Sequence, residues 1–315
     1  MKKFAFTWTL LLAAFLMLTA CTTGNEGGTA EKSGNAGNEG NKGTIKIGLS
    51  ISTQNNPFFV TLRQGAEKAA KEMGADLIVV DAQDDTSKQI GGIEDLIQQK
   101  VDVILINPTD SDAIVTAVES ANNANIPVIT VDRAANGGTV VSHIASDNVA
   151  GGKMAGDYIL DALGGKGNIV ELQGIAGTSA ARDRGQGFHE AVDGKDGVKV
   201  VASQPADFDR AKGLTVMENI LQSNSDVQAV FAHNDEMALG ALQAIEAAGK
   251  TGIVVVGFDA TDDAVNAVNE GTMAATVAQK PELIGQQAIE TAVKVAGGEK
   301  VDVSVPVELE LVTQK

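Results

Sequence analysis

The chain has 315 residues, enough for two medium-sized domains, and it carries a formal charge of −17 at neutral pH. This acidic balance argues against nucleic acid and anionic lipid headgroups as partners, because both are negatively charged. With a single cysteine in the chain, an internal disulfide is excluded.

Residues 1–20 predict an export signal that is removed from the mature protein. Lys2 and Lys3 give a positive start, residues 4–18 form an apolar run that is short for a membrane span, and small residues precede Cys21. This ending resembles the bacterial lipoprotein signal, in which the cysteine is acylated and becomes the new amino terminus. We therefore expect Cys21 to carry lipid. The alternative is an ordinary cleavage site that a cysteine happens to follow.

Residues 21–43 predict a flexible tether. They are rich in Gly, Asn and Glu and show no apolar periodicity, so they cannot bury enough surface to order themselves. Lipid and tether together predict an exported protein that is anchored to the outer face of the cell membrane. The globular part then begins near residue 44.

From residue 44 onward, strand patterns alternate with amphipathic helical patterns. Predicted strands cover residues 45–51, 76–81, 103–106, 128–131, 139–145, 168–172, 199–203, 229–233, 253–257, 274–278 and 304–308. Predicted helices cover residues 65–73, 88–99, 112–123, 151–163, 180–192, 210–222, 236–248, 263–268 and 281–295. Strands separated by helices indicate βαβ units and parallel sheets. Because the strands are too many for one small sheet, we predict an α/β fold with two lobes.

The segment SISTQNNPFF joins the first strand to the first helix, at a sheet edge where open α/β folds bind ligands. Phe58 and Phe59 offer apolar faces, and Asn56 offers donor and acceptor atoms. A sugar needs both, because it has C–H faces and a rim of hydroxyls. The alternative is that Pro57 starts the helix and that both rings pack in the core.

Polar or aromatic side chains also follow other predicted strands, and they are Asn107, Asp132, Arg133, Arg184, Phe208, Asn234, Asp259 and Gln279. The carboxyl ends of parallel strands share one edge of a sheet, so two facing sheets would bring these side chains into one cleft. The carboxylates can accept hydrogen bonds from hydroxyls, and the guanidiniums can donate. Their charges cancel, which suits an uncharged ligand. For Asp132 and Arg133, the alternative is a turn with a surface ion pair.

Other motifs predict neither a cofactor nor a metal. The GIAGTS segment at 174–179 could cradle a phosphate, but it lacks the lysine of a P-loop, so capping of the next helix by Thr or Ser is the favoured interpretation. The three histidines show no metal-ligand spacing. The acidic pairs at 84–85 and 262–263 are interpreted as solvated helix starts rather than catalytic pairs.

From Lys46 to near its end, the chain resembles the ribose-binding proteins of bacterial ABC importers, which belong to the type I periplasmic-binding-protein family. Matching segments occur in family order and are STQNNPFFV, INPTDSDAI, ANIPVITVDR, VVSHIASDN, ELQGIAGTSAARDRG, SQPADFDR, VFAHNDEMALGAL, VVVGFDA and ATVAQKPE. The resemblance implies two similar lobes, each a parallel sheet flanked by helices, joined by a hinge of three crossings. It implies an amino-terminal lobe of 44–146 plus 280–308 and a carboxy-terminal lobe of 147–279 plus 309–315.

The resemblance also implies that the ligand is D-ribose and that the partner is an ABC permease with its ATPase. The stacking rings implied by the family are Phe58, Phe59 and Phe208. The polar contacts that it implies are Asn56, Asp132, Arg133, Arg184, Asn234, Asp259 and Gln279. His233 stands where the family commonly has Gln, and Ala260 where it often has Gly; both are next to contact positions. No catalysis and no cofactor are implied, and a monomer is expected.

Three alternatives stay open at this point. In the same class, the ligand could be allose, another pentose or a ribose-like signalling molecule, and a chemoreceptor could be a further partner. A glycosidase could use Asp132 and Asp259, but it needs one acid of raised pKa, and two neighbouring arginines favour ionised acids. A sugar-responsive repressor shares the fold, but it needs a DNA-reading headpiece where this chain has an export signal.

Overall fold

A computed structural model describes residues 43–314. The predicted signal peptide, Cys21 and all of the predicted tether except Gly43 lie outside the described residues. The described part forms twelve strands and nine helices. The strands are β1 (Lys46–Ile51), β2 (Asp76–Asp81), β3 (Val103–Ile106), β4 (Val128–Val131), β5 (Ser142–Ser146), β6 (Gly167–Gln173), β7 (Val198–Pro205), β8 (Ala229–Ala232), β9 (Val254–Asp259), β10 (Ala275–Ala278), β11 (Ser304–Val307) and β12 (Glu310–Thr313). The helices are α1 (Pro57–Met73), α2 (Thr86–Gln98), α3 (Val115–Asn123), α4 (Asn148–Ala162), α5 (Ser179–Val192), α6 (Arg210–Ser223), α7 (Asp235–Ala247), α8 (Asp262–Glu270) and α9 (Pro281–Ala296).

The strands form two six-stranded sheets with the same internal order. The first sheet runs β11-β5-β4-β3-β1-β2, and the second runs β12-β10-β9-β8-β6-β7. All neighbours are parallel except β12, which pairs antiparallel with β10. The first sheet with α1, α2, α3 and α9 is called the amino-terminal lobe, and the second sheet with α4 to α8 the carboxy-terminal lobe. The two-lobed α/β fold predicted from the sequence is confirmed.

Each sheet is covered by helices on both faces. In the amino-terminal lobe, one core lies between the sheet and α1 with α9, and a second lies under α2 and α3. In the carboxy-terminal lobe, one core lies under α6, α7 and α8, and the other under α4 and α5. Burial on both faces explains why the central strands are nearly continuous runs of Val, Ile, Leu and Ala rather than alternating patterns.

The chain passes between the sheets three times within the described residues. The passages lie between β5 and α4, between β10 and α9, and between β11 and β12. As a result, β11 adds an edge strand to the first sheet after the chain has completed most of the second. All three connections are short, so the lobes are joined by three short chain segments rather than by one linker.

Two elements differ most from the sequence prediction, while several others differ by one to three residues at an end. Helix α1 begins at Pro57 rather than at residue 65, because proline fits the first helical position and the Asn56 side chain caps the helix by accepting from the Phe58 amide at 2.9 Å. Strand β12 is absent from the prediction. It is a short antiparallel edge strand without a crossover helix, and the βαβ pattern does not reveal such a strand.

Within residues 43–314, no helix combines the length and the apolar character that crossing a membrane requires.

Candidate functional site

A small cavity of about 10 Å³ lies between the two lobes, at the carboxyl edges of both sheets. The residues that line it are Asn56, Phe58, Phe59, Asp132, Arg133, Ala180, Arg184, Phe208, Asn234, Asp259 and Gln279. The structure therefore brings all ten predicted ligand-binding side chains to one place, together with Ala180. That these side chains contact a ligand stays a prediction.

The phenyl rings form apolar walls on both sides of the cavity. Phe58 and Phe59, in the first turn of α1, lie edge to face with their ring centroids 5.1 Å apart. Phe208 enters from the carboxy-terminal lobe, and the Arg133 guanidinium lies 5.0 Å from the Phe59 ring centroid and 5.3 Å from that of Phe208. Pro57 does start the helix, and both of its neighbouring rings belong to the lobe core, so the alternative interpretation of this segment also holds.

Asp132 and Arg133 follow β4 and are each 3% exposed, so the alternative of a surface ion pair is wrong. Arg133 Nε lies 3.8 Å from Asp132 Oδ2, beyond hydrogen-bonding distance. Asn107 donates to Asp132 Oδ2 at 3.2 Å, and Arg133 Nη1 donates to the Pro108 carbonyl at 3.1 Å. The loop after β3 therefore holds both charged side chains against the cavity.

Arg184, on α5, is held from several directions in the carboxy-terminal lobe. Its Nε donates to Asn148 Oδ1 at 2.8 Å, and its Nη1 donates to the His233 carbonyl at 2.6 Å. The guanidinium lies 3.8 Å from the centroid of the Phe258 ring, a cation–π contact. Its Nη1 is also 3.8 Å from Asp259 Oδ1. The guanidinium is therefore fixed by groups of its own lobe.

Asp259 ends β9 and is joined to the hinge by Gln279. The Gln279 Nε2 donates to Asp259 Oδ1 at 2.8 Å, and the Gln279 amide donates to the Asp259 carbonyl at 3.3 Å. Since Gln279 follows β10 directly before the chain crosses to α9, one side chain links the cavity to a crossing.

The two cavity asparagines each serve as a helix cap. The Asn56 side chain accepts from the Phe58 amide, and the Asn234 side chain accepts from the Met237 amide at 3.0 Å. Asn234 also donates to the Phe208 carbonyl at 3.2 Å. Because capping occupies the amide oxygen, each asparagine presents donor N–H groups to the cavity.

Burial dominates the electrostatics of the four charged groups. It raises the pKa of Asp132, and it raises the pKa of Asp259 well above its usual range, although the arginines lower both. It also lowers the pKa of Arg133 and of Arg184, although the aspartates raise both. The expectation that the arginines keep the acids ionised therefore considers only the charge effect of the arginines, which is weaker than the effect of burial. Keeping these charges from water is unfavourable, and hydrogen bonds from a polar ligand would offset part of that cost.

Three polar atoms of the cavity residues have no hydrogen-bond partner among the described residues, although all three are buried. They are Asp132 Oδ1, Arg133 Nε and Gln279 Oε1. They comprise two acceptors and one donor, which is the mixture that a set of hydroxyl groups can satisfy. Native proteins rarely leave buried polar atoms unpaired, so these three atoms are candidates for hydrogen bonds to a polar ligand.

The backbone is strained at the same place. Asp132, Phe208 and Asp259 have φ angles of 63°, 58° and 121°, in the region that favours glycine. Strained residues of this kind persist where the surrounding structure holds them, and they cluster at functional sites. Here the strain lies at the ends of β4, β7 and β9, where it turns the side chains towards the cavity.

Two supporting residues are absent from the predicted site. Asn148, just after the first crossing, orients Arg184, and Phe258 lies under the same guanidinium. Asn148 is 36 positions from Arg184 in the chain, so no local pattern links them. Phe258 carries a signal, since it is one of few aromatic residues and precedes Asp259.

The other motifs have structural roles. Thr178 caps α5 by accepting from the Ala181 amide at 3.3 Å, as the capping interpretation of 174–179 predicts. Asp85 caps α2, and Asp262 and Asp263 lie in the first turn of α8. Within residues 43–314, no group of His, Cys, Asp and Glu side chains has the arrangement of a metal site.

The two lobes touch beside the cavity through buried serines. The Ser111 amide donates to the Gly177 carbonyl at 2.9 Å, and the Ser179 amide donates to Ser111 Oγ at 3.0 Å. Ser179 Oγ in turn accepts from the Ala134 amide at 2.8 Å. These contacts join the loops after β3 and β4 to the start of α5, so the lobes are closed on each other in this structure.

Comparison with known proteins identifies similar chains. The family model of the periplasmic binding protein domain matches residues 47–300 of this chain. The ribose import binding protein of Escherichia coli K12 is 57% identical over 269 residues, which cover 85% of this chain and 90% of that protein. The ribose import binding protein of Bacillus subtilis 168 is 54% identical over 316 residues, which cover 100% of both chains. A solved ABC-transporter solute-binding protein of Actinobacillus succinogenes 130Z, with bound D-allose, is 34% identical with a TM-score of 0.81, covering 86% of this chain and 98% of that one.

Proposed function

The chain belongs to the periplasmic binding protein family, and from that premise we propose that it binds D-ribose between its two lobes and delivers the sugar to an ABC importer. The two relatives at 54% and 57% identity are both ribose import binding proteins. The solved structure with bound D-allose is less similar, at 34% identity, so the comparison favours ribose over allose.

The observation that carries the proposal is the set of unpaired polar atoms, Asp132 Oδ1, Arg133 Nε and Gln279 Oε1, inside an aromatic-walled cavity. A small sugar presents hydroxyls to such atoms and C–H faces to Phe58, Phe59 and Phe208. We propose that all ten predicted residues contact the sugar. Because they come from both lobes, the sugar makes more contacts when the lobes are closed, and ligands shift a conformational equilibrium only through such a difference.

We propose that delivery follows from this closure. Hinge closure around a ligand is the known motion of periplasmic binding proteins. The moving bodies would be residues 44–146 with 280–308 and residues 147–279 with 309–315, connected at the three crossings. A closed, loaded form differs in surface shape from the open form, so the permease can distinguish the two.

Calorimetric titration with ribose, allose, glucose and galactose tests the assignment. We expect ribose to bind most tightly, because a hexopyranose adds an exocyclic CH₂OH to a small cavity. A buried hydroxyl without a partner costs about 1–3 kcal/mol, and overpacking costs about 1–3 kcal/mol more. Together these exclude glucose by about 30-fold to over ten-thousandfold, at about 1.4 kcal/mol per decade. Glucose binding within tenfold of ribose would overturn the specificity, and tighter binding of allose would favour the alternative ligand.

Membership of the family implies export, and we further propose that Cys21 is acylated and anchors the protein to the membrane. The support is the sequence Leu18-Thr19-Ala20-Cys21 before a tether-like segment. Two acyl chains give stable anchoring where one is marginal. Fractionation of cells that express Cys21→Ser tests this: release of the variant from the membrane is expected, and retention equal to wild type rules out the anchor.

A further inference from the structure

We propose that Asp235 and Thr276, which lie outside the cavity, are positioning residues for Asp259 and thereby set the affinity for the sugar. The proposal rests on the proposed function, because the affinity in question is that for ribose. Neither residue lines the cavity. Both act through the backbone that follows Asp259.

That backbone is strained at two consecutive residues. Asp259 has a φ of 121° and Ala260 a φ of 55°, and neither residue is glycine. A residue with a Cβ adopts such angles only where its surroundings hold it. The orientation of the Asp259 carboxylate therefore depends on what fixes residues 259–261.

Asp235 and Thr276 supply the hydrogen bonds that fix this segment. Asp235 Oδ2 accepts from the Thr261 amide at 2.7 Å and from Thr261 Oγ1 at 3.2 Å. Asp235 Oδ1 accepts from Thr276 Oγ1 at 2.6 Å, and Thr276 Oγ1 accepts from the Ala260 amide at 3.2 Å. The two amides that follow Asp259, those of Ala260 and Thr261, are thus both held by hydrogen bonds to these side chains. We call Asp235 and Thr276 the bracket.

The Asp235 carboxylate fits here because the neighbouring residue of β9, Gly257, has no side chain. A Cβ on Gly257 would lie 2.2 Å from Asp235 Oδ1, so only glycine at this position of β9 admits the carboxylate. Gly257 is also the register partner of Thr276 on β10. The three residues that meet here come from β9, β10 and the start of α7. Asp259 ends β9, Gln279 follows β10, and Asn234 caps α7.

The chemistry of Asp235 also indicates a positioning role. It is 0% exposed, and its donors at these distances are two hydroxyls and one amide, all uncharged. Burial raises the pKa of Asp235 to about 7, although the hydrogen bonds from Thr276 and Thr261 lower it. A buried carboxyl in this setting destabilises the fold relative to an apolar residue. Its hydrogen bonds to Thr261 and Thr276 hold the strained loop, which is the role that we propose for it.

Thr276→Val tests the bracket with a side chain of the same shape that lacks the hydroxyl. It leaves Asp235 Oδ1 and the Ala260 amide without a partner, so Asp259 loses its fixed orientation. We expect ribose affinity to fall about tenfold or more, which equals about 1.4 kcal/mol. Thr276→Ser keeps the hydroxyl and should restore affinity to within threefold of wild type. Asp235→Asn, which replaces one acceptor oxygen by a donor group, is a second variant of native shape and should weaken binding in the same way.

Ser142→Ala is the matched control for loss of a buried hydroxyl. Ser142 is 0% exposed and donates to the Asp302 carbonyl at 2.7 Å, at the end of β5 away from the cavity. It should lower the melting temperature without changing ribose affinity. If Thr276→Val and Asp235→Asn both bind ribose within threefold of wild type, or if Thr276→Ser binds as weakly as Thr276→Val, the bracket is wrong.

Amide hydrogen exchange in the sugar-free protein separates this proposal from the proposed function. Exchange at Ala260 and Thr261 should be faster in Thr276→Val than in wild type, and near wild type in Thr276→Ser. Thr261 is the decisive amide, because its acceptor is Asp235 rather than the substituted residue. If its exchange does not change, the bracket is overturned whichever sugar binds. If the wild-type protein binds no ribose but exchange responds as expected, the proposed function fails and the positioning role stands.

Discussion

Arg184 is preorganised by three neighbours of different chemistry. Asn148 and the His233 carbonyl accept its hydrogen bonds, and Phe258 lies under its guanidinium. A side chain held in this way loses little conformational entropy when a ligand binds. We therefore expect Arg184 to contribute strongly to affinity.

Arg184→Ala should weaken ribose binding by about 30-fold to several-thousandfold. Truncating one partner of a buried, hydrogen-bonded charge network costs about 2–5 kcal/mol, at about 1.4 kcal/mol per decade. The matched control is Arg182→Ala on the same helix, whose side chain is 54% exposed and pairs with its neighbour Asp183. Calorimetry measures affinity, and circular dichroism checks that both variants are folded. Binding by Arg184→Ala within threefold of wild type would remove Arg184 from the site.

At the level of residues, the sequence identifies the lining of the cavity better than its support. Asn56, Asp132 and Asp259 each follow a predicted strand, and residue type together with the family resemblance indicates their role. Asn148 gives no such signal, because its link to Arg184 exists only after α4 and α5 have packed. The unpaired state of Asp132 Oδ1 and Gln279 Oε1 likewise depends on geometry that composition and spacing do not contain.

At the level of elements, glycines allow three helix pairs to pack with their backbones nearly in contact. In each pair, a Cβ on either glycine would lie within 2.7 Å of backbone atoms of the partner helix. The pairs are α1 with α9 through Gly65 and Gly285, α4 with α5 through Gly152 and Gly187, and α6 with α7 through Gly213 and Gly240. Each pair lies on one face of a sheet, so these contacts set how close its helices approach.

Gly187→Ala should destabilise the protein by about 1–3 kcal/mol or more, because its Cβ would lie 1.9 Å from the Val149 carbonyl oxygen, and neither backbone can move freely. Gly91→Ala in α2 is the matched control. A Cβ there meets nothing within 4 Å, so the better helix propensity of alanine should stabilise by about 0.5–1 kcal/mol. Urea unfolding at constant m-value measures both changes. Equal effects of the two substitutions would contradict the close-packing argument.

Glu171 joins four elements of the carboxy-terminal lobe. It lies on β6, is 0% exposed, and accepts from His233 Nε2, just after β8, at 2.9 Å and from Ser203 of β7, with His189 of α5 at 3.3 Å. Burial alone would raise its pKa, but the hydrogen bonds from His233 and Ser203 outweigh burial and lower the pKa to about 2. The ionised form is therefore favoured by folding.

Because of Glu171, the free energy of unfolding should decrease as the pH falls through the acid range. A carboxyl with a lowered pKa in the folded state contributes stability above its unfolded pKa and loses it as pH falls to the folded pKa. The window runs from the ordinary value of 4.5 down to about 2, and the contribution is on the order of 3 kcal/mol. The difference in unfolding free energy between wild type and Glu171→Gln should shrink across this window. A difference that stays constant from pH 5 to pH 2 would contradict the prediction, and the exposed Glu299→Gln serves as control.

The elements themselves were predictable where the hydrophobic period is clear. Strands β2, β3 and β4 have the predicted bounds, because each is a short apolar run between turn residues. The start of α1 is less apparent, because Asn56, Pro57 and the two phenylalanines look like loop and ligand site as much as helix. Strand β12 is half-buried at a sheet edge, and four residues of that kind carry no pattern that distinguishes them from a tail.

At the level of the whole molecule, the lobes share one strand order without an evident sequence repeat. The alternation of strands and helices predicts two parallel sheets, but it does not predict that β11 returns to the first sheet. The resemblance to a known family supplies the three crossings. The closed arrangement follows from contacts such as Ser111 with Ser179, which join loops 68 positions apart.

Ribose should shift the protein to the closed form and stabilise it. A ligand that binds only the folded form at a hundredfold excess over Kd adds about 2.7 kcal/mol to stability. Small-angle scattering should give a smaller radius of gyration with ribose than without, and the melting temperature should rise. Glucose at the same concentration is the control and should change neither quantity. An unchanged radius at saturating ribose would mean that the sugar does not control closure.

The return of α9 and β11 to the first sheet has a consequence for how the protein is made. Helix α9 supplies Ile284, Ala288 and Ile289 to the core that also contains the apolar face of α1, and β11 completes the edge of that sheet. Ribosomes extend the chain from its amino end, and domains usually fold in that order. Here the amino-terminal lobe begins first in the chain but is completed only by α9 and β11, which follow nearly all of the carboxy-terminal lobe. Until residues 281–307 are present, the first lobe therefore keeps an uncovered apolar face, and a chain at that stage of folding is prone to aggregation.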